Sequence, residues 1–331
     1  VTGIDIVTGG AGFIGSHLVD ALMAQGRRVT AIDNLAVGRR DNLRRHDGNT
    51  RFSFVEADVA DAPRMKEETA GAERIFHLAA MADIVPSVEH PTIYYHANVT
   101  GTLAMLEAAR AHGVRRFLYT ASSSCYGIPD QVPTPETAAM APRYPYALTK
   151  YLGEQLVMHW AQLYGLPAVS VRFFNIYGPR ARTSGTYGAV FGVFLAQLLA
   201  GQPLTVVGDG TQTRDFTFVS DAVSAILAVA GGPYSGEAFN VGTGAPVSVN
   251  RLVELLGATA TVTLPKRPGE PEITHADVAR IRDRIGWRSR VPIEEGVRIM
   301  LEQIEYWRDA PVWTVDRIET ATRDWFKYLK S

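Results

Sequence analysis

Tyr146 and Lys150 stand four residues apart in the run Tyr146-Ala147-Leu148-Thr149-Lys150. Residues i and i+4 share one face of a helix, so a phenol and an ammonium so spaced can act as a pair. The ammonium favours the ionised phenol, and a tyrosine poised that way is a base that works near neutral pH. The chain holds thirteen tyrosines and five lysines, namely Lys66, Lys150, Lys266, Lys327 and Lys330. Chance alone supplies roughly 0.2 such pairs, so the spacing also fits a surface tyrosine beside a solvated lysine. The surrounding residues decide between the two.

A second set of residues could hold a dinucleotide. Thr8-Gly9-Gly10-Ala11-Gly12-Phe13-Ile14-Gly15 follows a short strand, Ile4–Val7, and opens a helical pattern over Phe13–Gln25. Gly9, Gly12 and Gly15 form G-x-x-G-x-x-G. Glycine is required where the backbone turns sharply and where it closely approaches a pyrophosphate. The phosphates then meet the unpaired N–H groups and the dipole of a helix N-terminus. The next strand, Arg28–Ile32, runs into Asp33 and Asn34. A carboxylate there can take both hydroxyls of a ribose and repels a 2′-phosphate, which favours NAD over NADP; Arg39 and Arg40 nearby would soften that preference. Asp58 and Val59 close the third strand, within reach of the adenine. His77-Leu78-Ala79-Ala80 closes the fourth, with small residues where a cofactor would pass and with His77 as a packed strand-end histidine. All these positions fall at carboxyl ends of strands, where open α/β sheets bind ligands.

The elements that must position these groups alternate. Strands are expected at Phe52–Glu56, Arg74–Leu78, Arg116–Ala121 and Pro167–Phe173, and helices at Asn98–His112 and Pro145–Tyr164. This rhythm implies an α/β fold, a Rossmann-like doubly wound parallel sheet covered by helices on both faces. After Phe173 the pattern loosens into glycine-rich loops (Tyr177–Gly188, Gly208–Thr213, Gly231–Gly236, Pro265–Pro271). Helical patterns lie between them at Val190–Ala200, Asp221–Ala230, Val249–Leu256 and Ile293–Trp307, with short strands at Leu204–Val207 and Ala238–Val241. The expected division is a nucleotide-binding domain over 1–174 and a smaller α+β lobe over 175–331, its loops facing the first domain and the segment 215–242 returning to it. Ile318, Ala321, Trp325, Tyr328 and Leu329 recur at helical spacing, as a docked terminal helix would place them.

Composition narrows the class. The chain of 331 residues is 46% hydrophobic and 20% charged, with net charge −1, as in an ordinary globular protein with a sizeable core. That charge offers no bulk attraction to nucleic acid or to a membrane surface. The single cysteine, Cys125, excludes an internal disulfide and a cysteine metal cluster, and the eight histidines show no metal-ligand spacing. No apolar run reaches membrane-spanning length, and no signal-like segment is read at the start. The expected location is the cytoplasm.

Taken together, the motifs resemble those of the extended short-chain dehydrogenase/reductase family, and within it the nucleotide-sugar 4-epimerases. The resemblance runs from Gly9 to about Trp307. Beyond the motifs above it includes Asn98–Thr102, Ser122–Gly127, Tyr146-x-x-x-Lys150, Arg172–Pro179, Arg214-Asp215-Phe216 and Phe239–Gly242. It implies a catalytic triad of Ser122, Tyr146 and Lys150: Ser122 bonds the sugar 4-oxygen, Tyr146 takes the 4-hydroxyl proton, and Lys150 holds the nicotinamide ribose and lowers the tyrosine pKa. It implies recycled NAD, a 4-keto intermediate, and cofactor contacts that include Asn98 and Phe174. For the substrate, a UDP-sugar, it implies diphosphate contacts from Arg214, Arg267 and Asn175 and a ribose contact from Glu270. Thr205 and Val207 would flank the base, and Thr274 would stand where a bulky tyrosine restricts some epimerases. The small threonine, and Ala82 where glucose-type enzymes often carry lysine, suggest a roomier pocket for an N-acetylhexosamine or a uronic acid sugar. The related dehydratases carry two acids where this chain has Ser123 and Ser124, and two serines do not readily replace acids near pH 7. A dehydratase, another nucleotide-sugar oxidoreductase and a UDP-glucuronate 4-epimerase remain the alternatives. In the family, helices like Asn98–His112 and Pro145–Tyr164 form a homodimer interface. The Thr183–Tyr187 loop and the tail from Asp309 fall outside the common pattern.

Overall fold

A computed structural model of the protein describes residues 3–181 and 187–329; the Thr183–Tyr187 loop, apart from Tyr187, therefore lies outside the described residues. Seven strands form one sheet: β1 (Ile4–Thr8), β2 (Arg28–Asp33), β3 (Phe52–Glu56), β4 (Ala72–His77), β5 (Arg116–Ser122), β6 (Ala168–Phe173) and β7 (Glu237–Val241). Their spatial order is β7-β6-β5-β4-β1-β2-β3, and every pair is parallel. Strand order reverses between β1 and β4, the crevice where such sheets bind ligands.

The sheet is buried on both faces because neighbouring residues of each strand both meet helices. Val7, Phe76 and Leu118 pack with the helices Phe13–Ala24 and Val219–Gly231. Ile6, Ile75 and Phe117 pack on the other face with Gly101–His112 and Pro145–Tyr164. On that second face Gly153 matters: a Cβ there would lie 2.4 Å from the Tyr119 hydroxyl. The missing side chain lets the Pro145–Tyr164 helix settle against β5, and the Tyr119 hydroxyl donates to the Lys150 carbonyl at 3.2 Å.

The segment Val219–Val241 adds a helix and the edge strand β7 to this first sheet. The rest of the second half has its own core, built on the helices Val190–Leu199, Val249–Leu255 and Ile293–Glu302. Its strand Leu204–Val207 pairs in parallel with Thr261–Leu264, a strand that sequence reading does not separate from the neighbouring loops.

Several expected elements change. The helix expected over Ile293–Trp307 breaks at Gln303, and a 3₁₀ turn follows at Ile304–Trp307. The Asn98–His112 helix is entered through a π-helical turn, His96–Thr100. Short helices at Ile84–Glu89 and Pro91–Tyr95 precede it; Pro91 at the first helical position is the signal that marks the second. The Gly231–Gly236 loop does not face the site. Gly236 N donates to the Ala168 carbonyl, and Arg116 donates to the Gly232 carbonyl at 2.5 Å, so the loop sits at the amino ends of β5 and β6.

Candidate active site

At the carboxyl ends of the strands the glycine turn makes a cradle that side chains would fill. Gly9 has φ +67°, and a Cβ on it would come 2.8 Å from the Ala79 amide nitrogen. A Cβ on Gly15 would lie 2.0 Å from the Gly9 carbonyl oxygen. The Phe13–Ala24 helix starts at Gly12 with no side-chain cap, which leaves its first amides available to an anion. Beside the turn, Asp33 accepts hydrogen bonds from Ala11 N at 3.0 Å and Leu35 N at 2.8 Å; burial raises its carboxyl pKa. Arg40 is committed elsewhere, paired with Asp47 and stacked over Phe54 at 4.9 Å, while Arg39 lies over Tyr306 at 5.7 Å. These observations fit an adenine dinucleotide with an unmodified ribose. Gly15→Ala is expected to weaken NAD binding by roughly tenfold or more, because the obstacle is backbone and not a movable side chain; titration calorimetry checks it.

The cradle opens into a cavity of about 580 Å³. Every expected cofactor residue from Gly9 to Ala80 borders it, as do Asn175, Thr205, Val207, Arg214, Arg267 and Glu270. Ser122, Tyr146, Lys150, Asn98, Phe174 and Thr274 do not. The Asn98 amide accepts from Met81 N at 2.8 Å and donates to Met81 O at 3.0 Å and to Thr149 Oγ1 at 2.9 Å. It braces the loop after β4 against the helix of Tyr146 and Lys150, and the π-turn aims it there. Phe174 packs in a small core with Tyr126 and Ala276. Thr274 donates to Asn175 Oδ1 at 2.9 Å and so acts on the cavity through Asn175, whose own backbone has φ +32°.

Ser122 approaches the Tyr146 phenol, and Lys150 follows one turn later on the same helix. Ser122 ends β5, and its hydroxyl accepts from Ser124 N at 3.2 Å and Ser124 Oγ at 2.8 Å. The Ser122 side chain is close enough to the Tyr146 phenol to favour its ionised form. One expectation is corrected here. Tyr146 is not poised near neutral pH in this form: burial pushes its phenol up to about 12, opposed mainly by Ser122. The Lys150 ammonium sits over the Tyr119 ring, 4.3 Å from the centroid, and does not offset that burial. Burial pushes Lys150 down to about 8.

That shift has a stability consequence. Between about pH 8 and the ordinary lysine value of 10.5 the unfolded chain keeps a proton that the folded protein has released, so stability rises with pH across that window. Below it both states are charged and the full burial cost is present. Lys150→Met removes this dependence. Urea titrations are expected to show wild type gaining on the variant from about pH 8 to 10.5, with a constant difference at lower pH.

His77 is structural. The Thr102 hydroxyl donates to the Asn98 carbonyl at 2.6 Å and is left to accept from His77 Nε2 at 3.0 Å, while Nδ1 takes the Thr8 hydroxyl at 2.7 Å. Burial, with Lys150 nearby, lowers its pKa to about 3. Cys125 is buried, and burial raises its thiol to about 12. Among the described residues no cluster of His, Cys, Asp or Glu could hold a metal ion.

At the far end of the cavity, the Glu270 carboxylate stands between two guanidinium groups, 3.0 Å from Arg267 and 3.8 Å from Arg214. Arg267 also donates to the Tyr187 hydroxyl and lies 4.7 Å over that ring. Tyr187, Asp83, Trp313 and Trp325 border the cavity too and escaped sequence reading. The helical spacing of Trp325 signalled a docked helix, but not the surface on which it docks.

Comparison with known proteins follows the same lines. A sequence model of the NAD dependent epimerase/dehydratase family matches residues 6–242. The UDP-glucose 4-epimerase of Mycolicibacterium smegmatis is 38% identical over 92% of this chain and 98% of its own. The structure of Thermotoga maritima UDP-glucose 4-epimerase with UDP-glucose superimposes with a TM-score of 0.85 at 35% identity, covering 92% of this chain and 98% of that one. The Bacillus cereus UDP-glucuronic acid 4-epimerase, solved with UDP-glucuronic acid and NAD, gives 0.84 at 29% identity over 91% and 99%.

Proposed function

The chain belongs to the NAD-dependent epimerase/dehydratase family, and from that premise we propose that it interconverts nucleotide-diphosphate sugars, with UDP as the nucleotide, at C4. What supports the reading is one cavity bordered both by the glycine cradle and by Arg214 and Arg267, together with the closeness of Ser122 to the Tyr146 phenol. Gly9, Gly12, Gly15 and Asp33 would hold NAD. When bound, NAD would supply reversible hydride-transfer chemistry at the sugar C4.

The protein's own groups do the rest. Ser122 fixes the 4-oxygen. Tyr146 takes the 4-hydroxyl proton and gives it back after the keto sugar has turned, a shuttle that calls for a group able to carry both states. Lys150 supplies the positive charge that favours the phenolate once the site is filled. Arg214 and Arg267 present planar forks suited to a diphosphate; Glu270, now between them, is released to accept a ribose hydroxyl. Ser123 and Ser124 offer no acid to remove a C5 proton, which sets the reaction apart from dehydration.

Incubation of the purified protein with UDP-galactose and with UDP-N-acetylgalactosamine, without added NAD(H), tests this. Proton NMR is expected to show each sugar relaxing to a mixture with its C4 epimer, with no NADH released. Loss of water, or stoichiometric NADH, would overturn the reading.

A homodimer is part of the same proposal. Leu103 and Leu148, on the two helices expected to pair, are 39% and 45% exposed, and Tyr95 on the short helix before them is 52% exposed. A shallow groove there is lined by Tyr95, Val99, Leu152 and Leu156. Light scattering on the eluting protein is expected to give twice the chain mass of 36.1 kDa. A cytoplasmic location completes the proposal, and fractionation of source cells tests it. Among the described residues no helix is long and apolar enough to cross a membrane.

A further inference from the structure

The loop after β2 turns back on itself. Leu35 takes φ +58°, and by residue 38 the chain has returned to the Asp33 carboxylate. A Cβ on Gly38 would lie 2.7 Å from Asp33 Oδ2, 2.8 Å from Oδ1 and 2.9 Å from Cγ. Gly38 lies outside the left-handed region, so its backbone conformation does not itself call for glycine. Space is the reason for glycine here, and the three nearest atoms that fill it belong to one side chain.

Ala11 fixes how far apart the two groups stand. Its N–H donates to Asp33 Oδ2 at 3.0 Å, and its carbonyl accepts from Arg39 N at 2.9 Å and from Asn42 Nδ2 at 2.8 Å. One residue of the glycine turn thus holds the carboxylate on one side and the chain next to Gly38 on the other. Leu35 N holds the second oxygen at 2.8 Å. A carboxylate offers about four lone pairs. Even with the Gly12 amide also close enough to favour its charged form, acceptor capacity remains, and both Asp33 and Gly38 border the cavity. A side chain at position 38 has to displace one of its neighbours. Moving the loop breaks both bonds to the Ala11 carbonyl together, whereas the carboxylate can turn about its own χ angles with no backbone change. The carboxylate is therefore what gives way.

We propose that Gly38 determines cofactor specificity: its missing side chain keeps the Asp33 carboxylate where it can take the ribose hydroxyls of NAD and repel the 2′-phosphate of NADP. Gly38 acts through Asp33 and is a positioning residue. The proposal rests on the placement of the NAD ribose at Asp33 and is independent of the C4 chemistry. A larger residue at 38 weakens NAD because the acceptor has moved, and it relaxes the choice of cofactor because the repelling charge has moved with it. A general loosening of the loop would instead weaken both cofactors alike.

Calorimetry of NAD and NADP binding to cofactor-free wild type, Gly38→Ala, Asp33→Ala and the double variant tests the proposal, with thermal melting as the control on the fold. Wild type is expected to favour NAD at least about tenfold. Gly38→Ala is expected to lose roughly tenfold in NAD affinity, the scale of one hydrogen bond to a charged group, while NADP affinity changes less than about threefold. The preference for NAD then largely disappears. Asp33→Ala removes all three atoms that a Cβ at 38 would meet. In that background Gly38→Ala is expected to cost less than about twofold, the non-additivity that direct contact produces. Equal loss of both cofactors in Gly38→Ala would overturn the proposal, as would an unchanged preference for NAD or the same loss in the Asp33→Ala background. Should Gly38→Ala melt well below wild type, recovery of Tm in the double variant supports the contact, and no recovery overturns it. Unchanged NAD affinity in Asp33→Ala alone would remove the ribose from Asp33, and the proposal with it. Failure of the epimerase reading shows separately, as the absence of any C4 product from wild type.

Discussion

Tyr146→Phe is expected to lower kcat by about 10²–10⁴-fold, the usual contribution of a positioned proton-transfer group, with KM and NAD affinity within a few-fold of wild type. The replacement keeps the ring and so keeps its packing, edge-on to Tyr94 at 6.5 Å and stacked on Tyr144. What it removes is the oxygen beside Ser122 that, in the proposed reaction, would exchange the proton. A fall in kcat with KM unchanged is the signature of an interaction made in the transition state alone. The ligand-free phenol, pushed up to about 12 by burial, means that activation has to come with the filled site: a charge brought near a buried phenol counts for more than one in water. Full turnover by Tyr146→Phe, measured by single-turnover NMR or a coupled assay, would remove Tyr146 from the mechanism.

The two halves of the site differed in how far sequence could reach. The glycine turn was legible because its requirements are local: a strand, three glycines, a helix and an acid at the end of the next strand occur in order along the chain. Tyr146 and Lys150 were legible as a pair because they lie on one helix. Their pKa values were not, since these depend on burial and on the Tyr119 ring, which arrives from β5. Asn98 and Phe174 were read as cofactor contacts, and their bonding and packing partners within the protein were not legible, because a motif fixes which residue is needed and not which way it faces. Trp325 was read as part of a docked terminal helix and also borders the cavity. Its partners Tyr144 and Pro268 lie 181 and 57 residues away in the chain, beyond any periodicity.

The same limit hid Glu154, whose loss is expected to cost about 3–5 kcal/mol, the range for breaking one partner of a buried ion pair. Tyr146, Lys150 and Glu154 follow one another at intervals of four on the same helix face. Glu154 is 1% exposed; it accepts from Arg172 Nη2 at 2.6 Å and from Ser170 Oγ at 2.8 Å. Arg172 also donates to the Tyr126 hydroxyl at 2.8 Å and to the Glu136 carbonyl at 2.9 Å. Burial opposes the Arg172 charge, and Glu154 overrides it, so that the guanidinium is held more firmly protonated than usual. Glu154→Ala leaves that charge in the interior with no counter-ion. Because whole domains are stable by only about 5–15 kcal/mol, urea denaturation should show a large loss. The double variant Glu154→Leu with Arg172→Met is expected to recover part of it, since the uncompensated charge is gone even though Ser170 and Tyr126 lose partners. The helix that the pair clamps to β6 also carries Tyr146 and Lys150. Glu154→Gln, which keeps the shape and loses the charge, should therefore reduce kcat as well as stability, whereas a loss below about 1 kcal/mol in Glu154→Ala would show that the pair does not anchor the catalytic helix.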